Sequence, residues 1–305
     1  IAGGKNGGLL IRKGKIIGVF QILNKHDGAF TKEDENFLEA FSVHAALAIE
    51  NARLHKDIVE KERIEKELEI AGAIQRRLLP KQLPALPGYE IDAVARPSKD
   101  VGGDYYDLLK LSEGKYAFVI ADVSGKGVPA ALLVSTLHAS LHAYIDSAVN
   151  LAQLVRRLNV VVHENTEAER FITLFMAVLD SNDGSLTYVN AGHNFPFILR
   201  TEQSSIQPLF STGLPLGMFD SVEFQQETVK LDPSEYLVLY TDGVTEAMNK
   251  SMDEYGEKRL RQVMIGNSDK SASGFMDAIV SDVEKFVAGE PQSDDLTMLV
   301  LKRVS

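Results

Sequence analysis

From residue 88 to the C-terminus, apolar runs of strand length alternate with amphipathic stretches of helix length. Strands are expected at 89–95, 105–111, 115–121, 171–179, 185–190, 195–200, 222–230, 235–241 and 296–303. Helices are expected at 128–146, 151–165, 254–264 and 271–288. Asn182-Asp183-Gly184 lies between two of the strand runs and has the residues of a tight hairpin, a connection that pairs neighbours antiparallel. Many antiparallel strands with four interspersed helices predict a layered α+β sandwich.

Composition limits the chemistry. A length of 305 residues fits about two domains. A net charge of −11 argues against a general nucleic-acid binder, which needs a basic footprint. An acidic protein that acts on an anionic substrate has to supply positive charge locally, and a bound metal does so. With no cysteine, disulfides, zinc–thiolate sites and thiolate nucleophiles are all excluded. No apolar stretch approaches the roughly 18 residues of a membrane span, and a chain without cysteine fits a reducing compartment, so a cytoplasmic protein is expected, with a membrane segment upstream left open. The chain begins at Ile1 in the middle of a pattern, which places the expected natural N-terminus upstream.

Residues 1–50 supply one or two strands and a helix, too little to close a core alone. KIIGVFQILN (15–24) reads as a strand and Thr31 as a helix N-cap, with Glu33 and Asp34 in the first turn. Apolar positions from Phe37 to Ile49 follow with helical spacing. Over roughly residues 8–55, GVFQILNK and GAFTKEDENFLEAFSVHAALAIENARL resemble the C-terminal strand and helix of a GAF sensory domain. Residues 51–84 read as a helical linker closed by Pro80 and Pro84. Within it Ile64, Leu68, Ala71, Gln75 and Leu78 form a short coiled-coil seam. A linker packed on its own domain and a homodimer through this seam are both open.

Four acidic signatures carry the chemistry: VGGD ending at Asp104, ADVSGKG containing Asp122, YTDG containing Asp242, and SDDLT containing Asp294 and Asp295. Each places a carboxylate at the end of a strand-like run or beside glycine. Singly, each also describes an ordinary turn aspartate. Together they suit a hard divalent cation, which prefers oxygen ligands. The Gly-Lys at 125–126 lacks the spacing of a Walker phosphate loop.

The order and spacing of these signatures over residues 85–303 resemble the metal-dependent protein phosphatase (PPM, protein phosphatase 2C-like) family. AGAIQRRLLP (71–80), RFITLFMAVLD (170–180), LTYVNAGHNFPFIL (186–199), GLPLGMF (213–219) and LVLYTDGVTEAMN (237–249) narrow the resemblance. They point to its bacterial branch, typified by stage II sporulation protein E and the stress sigma-factor regulators. The resemblance implies a four-layer α-β-β-α sandwich of two antiparallel sheets over residues 85–305. It implies two Mn²⁺ or Mg²⁺ ions, bridged by Asp122 with help from the Val123 carbonyl. Asp242 and Asp294 would complete the first metal site and Asp104 the second, with Asp295 as a further candidate ligand behind Asp294. Asp122 and Asp242 would be catalytic through metal-activated water that attacks a phosphoserine or phosphothreonine. Several relatives carry histidine two positions after the bridging aspartate, where this chain has Ser124. His193 is either a replacement for the missing acid or a structural histidine in a strand-end turn, and Lys126 is either a phosphate-screening or a solvated lysine.

The implied function is a serine/threonine phosphatase regulated through sensor and linker, acting on a phosphorylated anti-sigma-factor antagonist. Two alternatives stay open: a catalytically silent binding module of the same fold, and a phosphohydrolase of small molecules. The glycines beside Asp104 lead to one mechanistic expectation, that rearrangement of the linker helix decides whether Asp104 completes the second metal site.

Overall fold

The computed structural model describes residues 5–23, 25–147, 150–166 and 169–304, with side chains from residue 9 onward. The chain divides into two units between Glu67 and Leu68.

In the first unit, strands β1 (Lys5–Arg12) and β2 (Lys15–Leu23) form an antiparallel hairpin. Its turn, Lys13-Gly14, has both residues at positive φ, as a two-residue hairpin loop requires. Helix α1 (Lys32–Gln75) follows as one 44-residue element, so the helix expected from Phe37 and the linker helix are continuous. Its start is a reciprocal cap. The Thr31 N–H donates to Asp34 Oδ2 at 2.7 Å, and the Asp34 N–H donates to Thr31 Oγ1 at 3.3 Å. The helix ends at Gln75, five residues short of the proline expected to stop it, and a turn covers residues 76–78.

The second unit contains two antiparallel five-stranded sheets. The strands are β3 (Tyr89–Arg96), β4 (Asp104–Ser112), β5 (Lys115–Val123), β6 (Ile172–Asp180), β7 (Ser185–Ala191), β8 (Phe197–Arg200), β9 (Ser205–Pro208), β10 (Glu227–Lys230), β11 (Tyr236–Tyr240) and β12 (Leu296–Arg303). One sheet runs β10-β7-β6-β5-β4 and the other β3-β12-β11-β8-β9. Helices α2 (Val128–Tyr144) and α3 (Leu151–Glu164) belong with the first sheet. Helices α4 (Asp242–Thr245), α5 (Gly256–Gly266) and α6 (Ala272–Val287) belong with the second.

Alternation along each strand builds the layers. In β5, Tyr116, Phe118 and Ile120 enter the core between the sheets, beside Phe175, Tyr188, Leu239 and Leu299. Ala117, Val119 and Ala121 face the other way, under Leu137, Leu141 and Leu158 of the first helical layer. Tyr236, Val238 and Val300 in turn pack under Phe275 and Ile279 of the second. With both faces covered, β5 reads as an unbroken apolar run rather than an alternating one. The result is the expected α-β-β-α sandwich.

Three details differ from expectation. Only Glu227–Lys230 of the 222–230 run pairs as a strand, while Val222 and Phe224 pack into the first helical layer instead. β9 and the four-residue α4 carried too little periodicity to anticipate.

Candidate active site and metal centre

The end of the sandwich gathers the acidic signatures through strand register. In the β4–β5 pair Asp104 stands directly opposite Asp122. Both residues continue the faces of Tyr106 and Ile120, so both carboxyls point into the layer between the sheets. From the second sheet, β11 ends at Tyr240 and Asp242 opens α4, while Asp294 and Asp295 lie immediately before β12.

Glycine allows these segments to meet. A Cβ on Gly243 would lie 1.9 Å from the Asp295 carbonyl oxygen, so no side chain fits where the Asp-Gly turn crosses the chain entering β12. A Cβ on Gly103 would lie 2.9 Å from the Val123 carbonyl oxygen and 3.4 Å from Asp122 Oδ1. The Val123 N–H donates to the Gly103 carbonyl at 3.2 Å.

Electrostatics record the crowding. Burial raises the Asp104 pKa well above the carboxylate range, reinforced by the charge of Asp122, with hydroxyls of Thr297 and Thr241 pulling the other way. Burial, then Asp242, Asp294 and Asp295, raise Asp122 to about 7, with Lys126 opposing them. Asp242 is also raised, by burial and by Asp294. Nearby Glu246 is raised by burial first, then by Asp242, Glu254 and Asp294. Like-charged carboxylates held together and partly desolvated are unfavourable unless a cation joins them. Lys126 supplies one positive charge: its Nζ lies 2.8 Å from Asp294 Oδ2 and donates to the Ser293 carbonyl at 2.7 Å. An all-oxygen set of this charge fits Mg²⁺ or Mn²⁺.

The five aspartates are not equivalent. The Asp295 carboxylate is already occupied, since Oδ1 accepts from the Ser98 N–H at 2.7 Å and its hydroxyl at 2.9 Å. Its Oδ2 accepts from the Gly103 N–H at 2.6 Å. Asp295 therefore fastens the loop that carries Asp104. Asp104 itself accepts from the Thr241 hydroxyl at 2.8 Å. Gln75, at the end of α1, clamps the same loop with both amide atoms. It donates to the Gly102 carbonyl at 2.6 Å and accepts from the Gly102 N–H at 3.0 Å. The sequence marks Gln75 only as a seam position and carries no signal for Ser98 or Thr241.

His193 is excluded as an acid by its surroundings. Burial lowers its pKa to about 4, its Nε2 donates to the Tyr240 carbonyl at 3.1 Å, and its Nδ1 accepts from the Thr173 hydroxyl at 2.9 Å. It is a neutral tie between β6 and β11. Ser124 is likewise used locally, its Oγ accepting from the Phe171 N–H at 2.9 Å.

An α-β-β-α sandwich with carboxylates converging at one end defines a PP2C-type protein phosphatase domain. The chain belongs to the family described as stage II sporulation protein E (SpoIIE), which matches residues 112–304. It is 32% identical over 264 residues to protein IcfG of Synechocystis sp., covering 78% of this chain and 41% of IcfG. It is 30% identical over 246 residues to the phosphoserine phosphatase RsbU of Bacillus subtilis, covering 80% of this chain and 72% of RsbU. The SiaA-PP2C domain of Pseudomonas aeruginosa superposes with a TM-score of 0.72 at 21% identity, over 80% of this chain and 98% of that domain. The match thus spans less than half the length of IcfG. Among the described residues, no helix is long and apolar enough to cross a membrane.

Proposed function

We propose that this chain is a metal-dependent phosphoserine/phosphothreonine protein phosphatase whose substrate is a phosphorylated anti-sigma-factor antagonist. The observation that carries the reading is the pairing of Asp104 with Asp122 across β4 and β5, beside Asp242 and Asp294. Asp122, with the Val123 carbonyl as a further oxygen, would hold both ions. Asp242 and Asp294 would help to hold the first ion and Asp104 the second, while Asp295 positions the Asp104 loop. Two bound Mn²⁺ or Mg²⁺ ions supply an activated water and neutralise charge on the phosphoryl group. The chain's own groups hold that charge in place, and Lys126 orients Asp294. The likeness to RsbU, a phosphoserine phosphatase, supports phosphoserine as the substrate class.

Regulation follows from Gln75. A cavity of about 240 Å³ lies between the end of α1 and the Asp104 loop, lined by Gln75, Arg76, Leu79, Asp104 and Asp295. Movement of α1 is thereby transmitted to Asp104. The preceding residues are the end of a GAF-type sensor, and the part of the seam upstream of Gln75, at Ile64 and Leu68, pairs with a second copy of the chain, while Gln75 and Leu78 are engaged by their own domain.

The test is Mn²⁺-dependent release of phosphate from phosphorylated antagonist proteins, with a small aryl phosphate as competitor. Asp122→Asn and Asp242→Asn are expected to lose about 10³-fold or more in turnover while staying folded, the equivalent of about 4 kcal/mol of transition-state stabilisation. Retained turnover in either variant overturns the two-metal reading. Preference for the small ester identifies a small-molecule phosphohydrolase, and metal binding without turnover identifies a silent binding module.

A further inference from the structure

A second cluster of metal-ligating side chains lies on the other face of β4. Asp107 follows Tyr105 in the alternation, so it points toward α2 rather than into the layer that holds Asp104. From α2, His138 and His142 come down on the same face, four residues apart and with ring centroids 4.3 Å apart. One ligand atom from each of Asp107, His138 and His142 lies within 4.8 Å of the other two.

We propose that Asp107, His138 and His142 form a transition-metal site of the zinc class that clamps α2 onto edge strand β4. The inference is independent of the phosphatase reading.

The hydrogen bonds around the cluster are those of a prepared site. His142 Nε2 lies 2.7 Å from Asp107 Oδ2. The Tyr105 hydroxyl donates to the same Oδ2 at 2.7 Å. Having given its proton to a carboxylate, that hydroxyl accepts from His138 Nδ1 at 3.0 Å. His138 Nε2 is then left with a free lone pair, the tautomer a metal requires. Asp107 Oδ1 accepts from the Leu108 N–H at 2.8 Å, which fixes the carboxylate plane. Asp107 is 4% exposed whereas the His142 side chain is 42% exposed, so the anchor is rigid and the entry is open to solvent.

Two imidazoles and a carboxylate select zinc-like ions over Mg²⁺, and three protein ligands leave the fourth tetrahedral position for water. Bonds of about 2.0–2.2 Å put tetrahedral ligand atoms roughly 3.4 Å apart. The His142–Asp107 contact has to open by somewhat under an ångström, the ion taking the place of the hydrogen-bonding proton. A histidine pair at i and i+4 meets this demand by rotation of its side chains alone. β4 is an edge strand, with β5 on one side only, so a clamp here holds the strand that carries Asp104 at its start.

The experiment is Zn²⁺ titration of chelator-stripped Asp122→Asn protein by calorimetry, with Co²⁺ as a spectroscopic substitute. The background variant weakens the carboxylate centre, so that ion and site can be matched. One equivalent of Zn²⁺ and visible Co²⁺ ligand-field bands of a four-coordinate nitrogen–oxygen site are expected, with a rise in Tm. His142→Ala and His142→Gln are each expected to weaken Zn²⁺ binding by about 100-fold or more, and Tyr105→Phe by about 10-fold. Made instead in the protein with Asp122 intact, both His142 substitutions should leave Mn²⁺-dependent activity unchanged, because His142 lies outside the catalytic centre. The proposal is overturned if Asp122→Asn protein takes up no Zn²⁺ equivalent, or if the His142 variants bind Zn²⁺ as tightly as their parent.

Discussion

Asp122 stands where burial and three neighbouring carboxylates act on one side chain, and its pKa of about 7 has a consequence for stability. A carboxyl with a folded-state pKa above its unfolded value of about 3.9 binds its proton more tightly when folded. In metal-free protein the penalty for ionising it is absent below about pH 4, grows as the pH rises, and is complete above about pH 7. Asp122→Asn removes that penalty. Thermal unfolding in chelator should therefore give the variant a Tm several degrees above the parent at pH 8, and the gap should close toward pH 4. A gap that is equal at both pH values would show that Asp122 is not held against its neighbours. The sequence made Asp122, Asp242 and Asp294 legible as ligand candidates because each follows an apolar run or borders glycine. It favoured Asp294 over Asp295 only through the family resemblance. The physical distinction rests on where Ser98 and Gly103 donate, which depends on residues almost 200 positions away.

Among the elements, α1 and β4 connect the linker to the carboxylates. The end of α1 lies so close to the Asp104 loop that a Cβ on Gly72 would fall 2.0 Å from the Asp100 carbonyl oxygen. Gln75 then closes two hydrogen bonds on Gly102. Gln75→Ala should raise the Mn²⁺ concentration needed for half-maximal activity by about 10-fold, with turnover recovered at saturating Mn²⁺. An unchanged Mn²⁺ dependence would disconnect the helix from the site. The long strands were legible for a physical reason: β3, β4, β5, β6 and β12 span eight or nine residues each, enough for an apolar run or an alternation to emerge. β9 and β10, with four residues each, offer too few positions for a period to emerge, and they are strands because a neighbour completes their hydrogen bonds.

At the scale of the whole molecule, α1 leaves an apolar series exposed, with Leu54 at 53%, Ile58 at 56% and Ile64 at 46%. Scattered exposed apolar residues are ordinary, but a series along one helix is what a helical partner covers. Sedimentation of the intact chain should show a concentration-dependent dimer, and Ile64→Lys with Leu68→Lys should shift it to monomer. Identical sedimentation of parent and variant would remove self-association through the seam.

The sequence by itself determined the layered α+β class, the antiparallel pairing signalled at Asn182-Asp183-Gly184, and a set of acidic ends suited to an oxygen-ligated metal. These follow from local periodicity and from what glycine and aspartate do in turns. Tertiary structure alone decided which carboxylates meet, because Asp104 and Asp122 become neighbours only through β4–β5 register. It also turned Asp295 into a brace and His193 into a neutral tie. The same strand, by alternation, sends Asp107 to a separate cluster with His138 and His142. Side chains three positions apart on a strand face opposite layers, and only the packed sandwich determines what each layer holds.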